Sequence, residues 1–314
     1  MTPVMRKAAI KFNIMDNPDG RLKRQKEPVP YLGGLSVYLS FLVALCITLE
    51  FDRQVLGLLL SATLIVLLGL IDDFGFLSPQ IKIMGQILAS FVLIKSGIVM
   101  ELAFSPQWLN IGMSMIWIVA ITNSFNIIDI MDGLATGVAF ICSIALFFVA
   151  VDNGRIMIAV ITIALSGSLL AFLRYNFEPA RIYLGDTGSL LIGLLLGALA
   201  MIGSYTRQND VAYLSPVVIF GVPIFDTLFV SYIRWRRGMP IFFGSNDHFA
   251  LRLRKWRLST KGTVLCSFAV TTILSFLAII MTKTSNLGAS LILIGIIIAS
   301  LIVATFLKRI DMSM

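Results

Sequence analysis

Residues 54–73 read QVLGLLLSATLIVLLGLIDD, an apolar run with no charge until its last two residues. The hydrocarbon core of a bilayer is about 30 Å thick and takes roughly 20 apolar residues in a helix. The run is long, continuous and free of alternation, so it predicts a spanning helix over 54–71 and not a strand. The same reading finds runs near 33–51, 81–99, 111–128, 133–151, 155–173, 188–205, 211–233, 262–282 and 288–307, about ten transmembrane helices in all. Composition agrees: 58% of the 314 residues are hydrophobic and 13% are charged, where a soluble domain carries about a quarter charged. The expected fold class is all-α, a polytopic integral membrane helical bundle forming a single domain over 1–314. No signal peptide is read at the start, because 1–30 is basic and lacks an apolar core.

Charge orients the bundle. The net charge is +8, and all Lys and Arg but Arg53, Lys95, Arg155, Arg207 and Lys283 fall on one side of the predicted spans. That side includes Arg6, Lys7, Lys11, Arg21, Lys23, Arg24 and Lys26, then Lys82, then a basic loop at 234–261. Cytoplasmic loops carry such an excess, so segment 1–30 and loop 234–261 are cytoplasmic, and an even number of spans places both termini there. The basic balance reports topology and anionic lipid headgroups; no soluble domain remains to bind nucleic acid. Cys46, Cys142 and Cys266 lie far apart inside spans and read as packing residues, with no zinc or disulfide spacing.

The acidic residues then sort by side. Glu50, Asp52, Glu101, Asp152 and Asp210 are scattered singly outside, while Asp72, Asp73, Asp129, Asp132, Asp186, Asp226 and Asp247 stand at inner span ends. A carboxylate there is costly unless hydrated, paired or holding a cation. One such residue is an ordinary helix-end charge; a set converging from several helices points to a site. In LLGLIDDFGFLSP (67–79), adjacent helical residues point about 100° apart. One of Asp72 and Asp73 can therefore face a metal or phosphate while the other faces a helix partner. In TNSFNIIDIMDGLATG (122–137), Asn123, Asn126, Asp129 and Asp132 recur every three residues, roughly one helical face. An N-cap by Asp132 ahead of Gly133 explains one of the four. In YLGDTGSLLIG (183–193), Gly185 and Gly188 allow close backbone approach, and Thr187 and Ser189 open a helix whose N–H groups favour an anion. Asp186 is either that helix's cap or a metal ligand beside a phosphate; magnesium takes such carboxylates together with substrate phosphates. Loop 234–261 holds the only histidine, His248, with Arg252 and Arg254. It reads either as a basic patch on anionic lipid or as an anion-binding loop for a nucleotide diphosphate, those arginines donating to phosphate.

The order PVPYLGG (28–34), Asp72-Asp73, N-x-x-N-x-x-D-x-x-D-G, GDTGS (185–189) and a basic loop with a histidine resembles the polyprenyl-phosphate N-acetylhexosamine-1-phosphate transferases. The match runs from about Asp16 to Leu253. It implies magnesium-dependent transfer of a sugar 1-phosphate from a UDP-sugar to undecaprenyl phosphate, releasing UMP, at the cytoplasmic face of the bacterial inner membrane. Manganese is the other ion left open. By the resemblance, Asp72 and Asp73 are the paired catalytic aspartates, Asn126, Asp129 and Asp132 the second polar helix end, Asp186 the magnesium carboxylate, and His248 the first residue of a His-rich loop. Asn123 joins Asn126, His248, Arg252 and Arg254 in the expected substrate-binding set. The stretch His248-Phe249-Ala250-Leu251 departs from the three nearby histidines of many members, which sets the chain apart from the phospho-MurNAc-pentapeptide translocase and leaves the sugar open. Gln25 stands near where relatives have histidine. Relatives also carry a span before this segment, implying a shortened N-terminus or a start codon placed late. Relatives that dimerise imply a homodimer.

Joining two anionic phosphates requires charge neutralisation and in-line placement. Asp186 with one or two of Asp72, Asp129 and Asp132 would hold the metal. Direct attack by the lipid phosphate is preferred to a covalent aspartyl-phosphate. The rival reading is an ion-coupled transporter; against it, the polar residues gather at one face and leave the bilayer midplane nearly free of charge.

Overall fold

The computed structural model describes residues 1–16, 27–48, 52–101, 105–203, 205–240 and 247–312. Arg21, Lys23, Arg24, Gln25, Lys26, Glu50 and loop residues 241–246 lie outside the described residues. Thirteen α-helices occur among the described residues: α1 (Thr2–Lys11), α2 (Gly33–Thr48), α3 (Arg53–Asp73), α4 (Pro79–Lys95), α5 (Gln107–Ile128), α6 (Leu134–Asp152) and α7 (Ile156–Asn176), then α8 (Gly185–Met201), α9 (Ser215–Ile219), α10 (Gly221–Arg236), α11 (Phe249–Lys255), α12 (Thr260–Lys283) and α13 (Asn286–Lys308). Local chemistry sets their ends. Asp52 accepts the Val55 N–H at 2.8 Å to start α3, and Ser78 with Pro79 starts α4.

Among the described residues each predicted apolar run is matched by helix, and the protein is an all-α polytopic membrane bundle. Length gives a smaller number of crossings than ten. Six helices (α3, α5, α6, α7, α12 and α13) are long and apolar enough to cross alone, seven if a bent pair counts as one. That pair replaces the single span expected at 211–233: a 3₁₀ turn and α9 (Val211–Ile219) meet α10 at 76°. The cause is local. Pro223 has no N–H to give the carbonyl four residues back, and Gly221 tolerates the break. Helices α2 and α8 are short, at 16 and 17 residues.

The short α8 sits at the centre. Every residue from Thr187 to Ala200 is buried, packed among α2, α3, α5 and α6, so it need not match the thickness of lipid. Glycines permit the approach. A Cβ on Gly34 would lie 2.1 Å from the Gly188 nitrogen, and one on Gly69 would lie 2.5 Å from the Thr187 Cα. Outer helices show the reverse pattern: α13 buries only Ala289 and Leu307, and α3 exposes Leu56, Leu60, Leu67 and Ile71 along one stripe, as lipid contact requires.

One small feature departs from the all-helix expectation. β1 (Met15–Asp16) pairs antiparallel with β2 (Val29–Pro30). The following residues then bond to the loop before α8: Tyr183 N–H donates to Pro30 O (2.9 Å), and Gly33 and Gly34 donate to Tyr183 O (3.1 Å) and Leu184 O (2.9 Å). The PVPYLGG and GDTGS motifs are thereby stitched together through the backbone.

Candidate active site

Four helix ends meet around the first turn of α8. A helix begins with unsatisfied N–H groups that favour negative charge. Here Asp73, from the last turn of α3, supplies it: Oδ1 accepts the Asp186 N–H at 2.6 Å, and Oδ2 accepts the Thr187 N–H at 3.2 Å and the Thr187 hydroxyl at 2.6 Å. Gly185, at φ +69°, has no room for a side chain, since a Cβ would stand 2.7 Å from both Asp73 oxygens. The cap of α8 is thus Asp73, and Asp186 is released from that duty. Of the aspartate pair, Asp73 is therefore the one that faces a helix partner.

Asp72 faces elsewhere. The Lys82 ammonium lies 2.6 Å from Asp72 Oδ2 and 2.8 Å from Asp186 Oδ2, so one cation joins two carboxylates from different helices. The other Asp186 oxygen accepts Asn126 Nδ2 at 2.5 Å, and Asn126 also reaches Ser189 Oγ at 2.9 Å. Behind it, Asn123 Nδ2 donates to Gln86 Oε1 at 2.5 Å; Gln86 is only 1% exposed. Lys82 and Gln86 are one turn apart on α4. By sequence Lys82 reads as a topological charge, and the signal that marks it together with Gln86 is an i, i+4 polar pair on an apolar helix.

The four-residue stripe on 123–132 is not one helical face. α5 ends at Ile128, and the chain turns through Gly133 at φ +77° into α6. Asn123 and Asn126 are on the helix; Asp129 and Asp132 are in the turn. Asp132 is not the cap of α6, since its Oδ2 accepts the Ala180 N–H at 2.8 Å and so anchors the loop leading to α8. Burial raises its carboxyl, and that hydrogen bond pulls the other way. Asp129 faces the cluster. Burial pushes its carboxyl well above the usual carboxylate range, and the charges of Asp186, Asp73 and Asp132 push in the same direction. Tyr31 borders the same group: burial first, then the charge and hydrogen bond of Asp16, with smaller effects of Asp73 and Asp186, drive its phenol upward. Its ring packs edge-on to Tyr183 at 6.2 Å.

The basic loop forms a second cluster. His248 Nδ1 is 2.7 Å from Asp226 Oδ2. Arg237 lies 2.9 and 3.0 Å from the two Asp247 oxygens. Arg252, expected as a phosphate donor, is 1% exposed and already committed. It donates to Asp247 O and Oδ1, and to the carbonyls of Leu307 and Ile310 at the end of α13. It clamps the loop to the last helix. Arg254 is exposed.

Among the described residues no three His, Cys, Asp or Glu side chains converge as a complete metal cage. The donor set still fits magnesium, which is held through one or two carboxylates plus substrate phosphate; Asp72 and Asp186 supply two, drawn together about one cation.

Fold and site together define an integral membrane enzyme whose polar machinery sits at helix ends. Residues 55–204 match glycosyl transferase family 4. The chain is 31% identical over 307 residues to a probable undecaprenyl-phosphate N-acetylglucosaminyl 1-phosphate transferase of Bacillus subtilis (strain 168), covering 95% of this chain and 85% of that protein. It is 30% identical to a decaprenyl-phosphate N-acetylglucosaminephosphotransferase of Mycolicibacterium smegmatis, covering 96% and 84%. It is also 30% identical to a phospho-N-acetylmuramoyl-pentapeptide-transferase of Halalkalibacterium halodurans, covering 79% and 82%. The chain belongs to the polyprenyl-phosphate N-acetylhexosamine-1-phosphate transferases of glycosyl transferase family 4. None of these three relatives is a transporter.

Proposed function

We propose that this chain transfers N-acetylhexosamine 1-phosphate, with GlcNAc 1-phosphate the first choice, from a UDP-sugar to undecaprenyl phosphate. UMP leaves, and the product starts a cell-envelope polysaccharide at the inner face of the bacterial cytoplasmic membrane. The observation that carries the reading is the handling of Asp186, which is freed from capping α8 by Asp73 and held by Lys82 and Asn126.

In the proposed reaction an oxygen of the lipid phosphate forms a bond to the β-phosphorus of the UDP-sugar. The bond from that phosphorus to the α,β-bridging oxygen breaks, and the electron pair leaves with UMP. Asp72 and Asp186 would hold magnesium, whose charge offsets that of the diphosphate when it is bound. Lys82, between the same carboxylates, brings a positive charge to the place where phosphate charge gathers. Asn126 fixes the orientation of Asp186, and Asp73 fixes the turn that carries it. The acceptor phosphate attacks directly, drawn to the positive charge that Lys82 brings beside Asp72. Of the two arginines expected at phosphate, Arg252 and Arg254, Arg254 is the one left to meet the leaving UMP. Ten crossings follow if α2, α4 and α8 cross within the bundle beside the seven that length allows, leaving both termini cytoplasmic. A homodimer and contacts with anionic lipids at the basic inner face complete the proposal.

Membranes or detergent-solubilised protein given UDP-GlcNAc, undecaprenyl phosphate and magnesium should release UMP only with lipid and metal both present. Asp186→Asn should lower the rate at least about 1,000-fold. Release without lipid, or an unchanged rate in the variant, would sink the assignment.

A further inference from the structure

Asp226 belongs to none of the contacts around Asp186. It is fully buried on α10, and His248 is 5% exposed. Beside them, Phe225 stacks on Phe229 at 5.7 Å and meets Phe249 edge-on at 6.4 Å. An unpaired carboxylate in such surroundings is costly. Asp226 spends both oxygens on one short segment: Oδ2 lies 2.7 Å from His248 Nδ1, and Oδ1 accepts the Phe249 N–H at 2.9 Å. On the other side, Asp247 is held by Arg237 and Arg252. The backbone is therefore fixed at 247 and at 249, and the imidazole between them has one nitrogen already assigned.

That assignment has a chemical consequence. An ionised carboxylate only accepts hydrogen bonds, so Nδ1 carries a proton whether the ring is neutral or charged. Nε2 is then the atom that changes, a lone pair in one state and an N–H in the other. We propose that Asp226 is a positioning residue that acts through His248, holding the ring so that Nε2 is the nitrogen offered to the phosphate or sugar of the bound UDP-sugar. The inference rests on the transferase reading above for its substrate, and for the tautomer on the 2.7 Å contact with an ionised Asp226.

His248 is the only histidine in the chain, so protein labelled with ¹⁵N-histidine reports a single ring with no assignment step. The wild type should show Nδ1 protonated. Asp226→Asn keeps the shape and leaves an oxygen for the Phe249 N–H, but its amide donates to Nδ1 and moves the ring proton to Nε2. With the melting temperature held within a few degrees, kcat for UMP release should fall on the order of 100-fold, with KM changing less. In a His248→Gln background the same substitution should add nothing. A wild-type ring protonated only at Nε2 would overturn the proposal. So would an Asp226→Asn effect of equal size in the His248→Gln background. If wild type releases no UMP from any UDP-sugar, the transferase reading fails and the proposed role in transfer falls with it, while the spectrum still decides the tautomer.

Discussion

Asp129 is held in the folded chain against its own charge. Its carboxyl is raised by burial and by three neighbouring carboxylates, so ionisation is less favourable folded than unfolded. An unfolded Asp titrates near 4; stability is therefore lost as pH rises above that value and regained as pH falls toward it. Asp129→Asn removes the penalty. In EDTA at pH 8 the variant should melt about 3–6 °C above wild type, with the gap closing toward pH 4, while UMP release drops at least about 100-fold. A variant no more stable than wild type at pH 8 would show that Asp129 is not held against its own charge. The sequence disclosed this carboxylate, along with Asp72, Asp73, Asp132 and Asp186, because acids at the ends of apolar runs stand out. It did not disclose their division of labour. Asp73 as the cap of α8 and Asp132 as the anchor of Ala180 depend on backbone N–H groups more than 40 residues away. The commitment of Arg252 is hidden from the sequence for the same reason, since it donates to main-chain oxygens of Leu307 in α13 and of Ile310 just past its end.

At the scale of elements, the site depends on how closely α2 and α3 approach the start of α8. Gly34 and Gly69 face backbone atoms of Gly188 and Thr187, and backbone cannot yield as a flexible side chain does. Gly69→Ala should push α3 away from α8, loosen the Asp73 cap and cost about 2–3 kcal/mol. UMP release should fall about 10- to 100-fold through misplaced groups, and Gly34→Ala should act alike. Gly112 on α5 has nothing within 4 Å of a Cβ. Gly112→Ala should keep full activity and melt no lower than wild type, since alanine favours helix by about 1 kcal/mol. Equal losses in the three variants, read by melting and by UMP release, would refute the close-approach argument. Helix positions were legible because hydropathy marks lipid-facing runs directly. The bend at Phe220 was not, because the segment stays apolar through Gly221 and Pro223 while its direction changes. The β1–β2 ladder escaped because two residues carry no periodicity.

For the whole molecule, everything proposed about the donor depends on which end of the bundle faces the cytosol. The structure groups one set of groups at one end: Lys283 pairs with Asp152 at 2.9 Å, Arg207 donates to Asp152 O, and Arg53 donates to Lys95 O. Gln54, Gly97, Arg155 and Arg207 also line one cavity there. These are the five Lys and Arg that the charge bias assigns outside, gathered as that bias requires. Lys82, Asp72 and Asp186 mark the opposite end. Cysteine labelling reads the orientation once Cys46, Cys142 and Cys266 are replaced. Cys142 packs its sulfur 3.3 Å from Ile219 O, so alanine is the substitution of choice there. In intact cells a membrane-impermeant maleimide should modify Gln208→Cys, and should modify Gln80→Cys only after permeabilisation. The reverse pattern would place Asp186 away from the cytosolic pool of UDP-sugar. It would then be the donor, and not only the topology, that has to be reassigned.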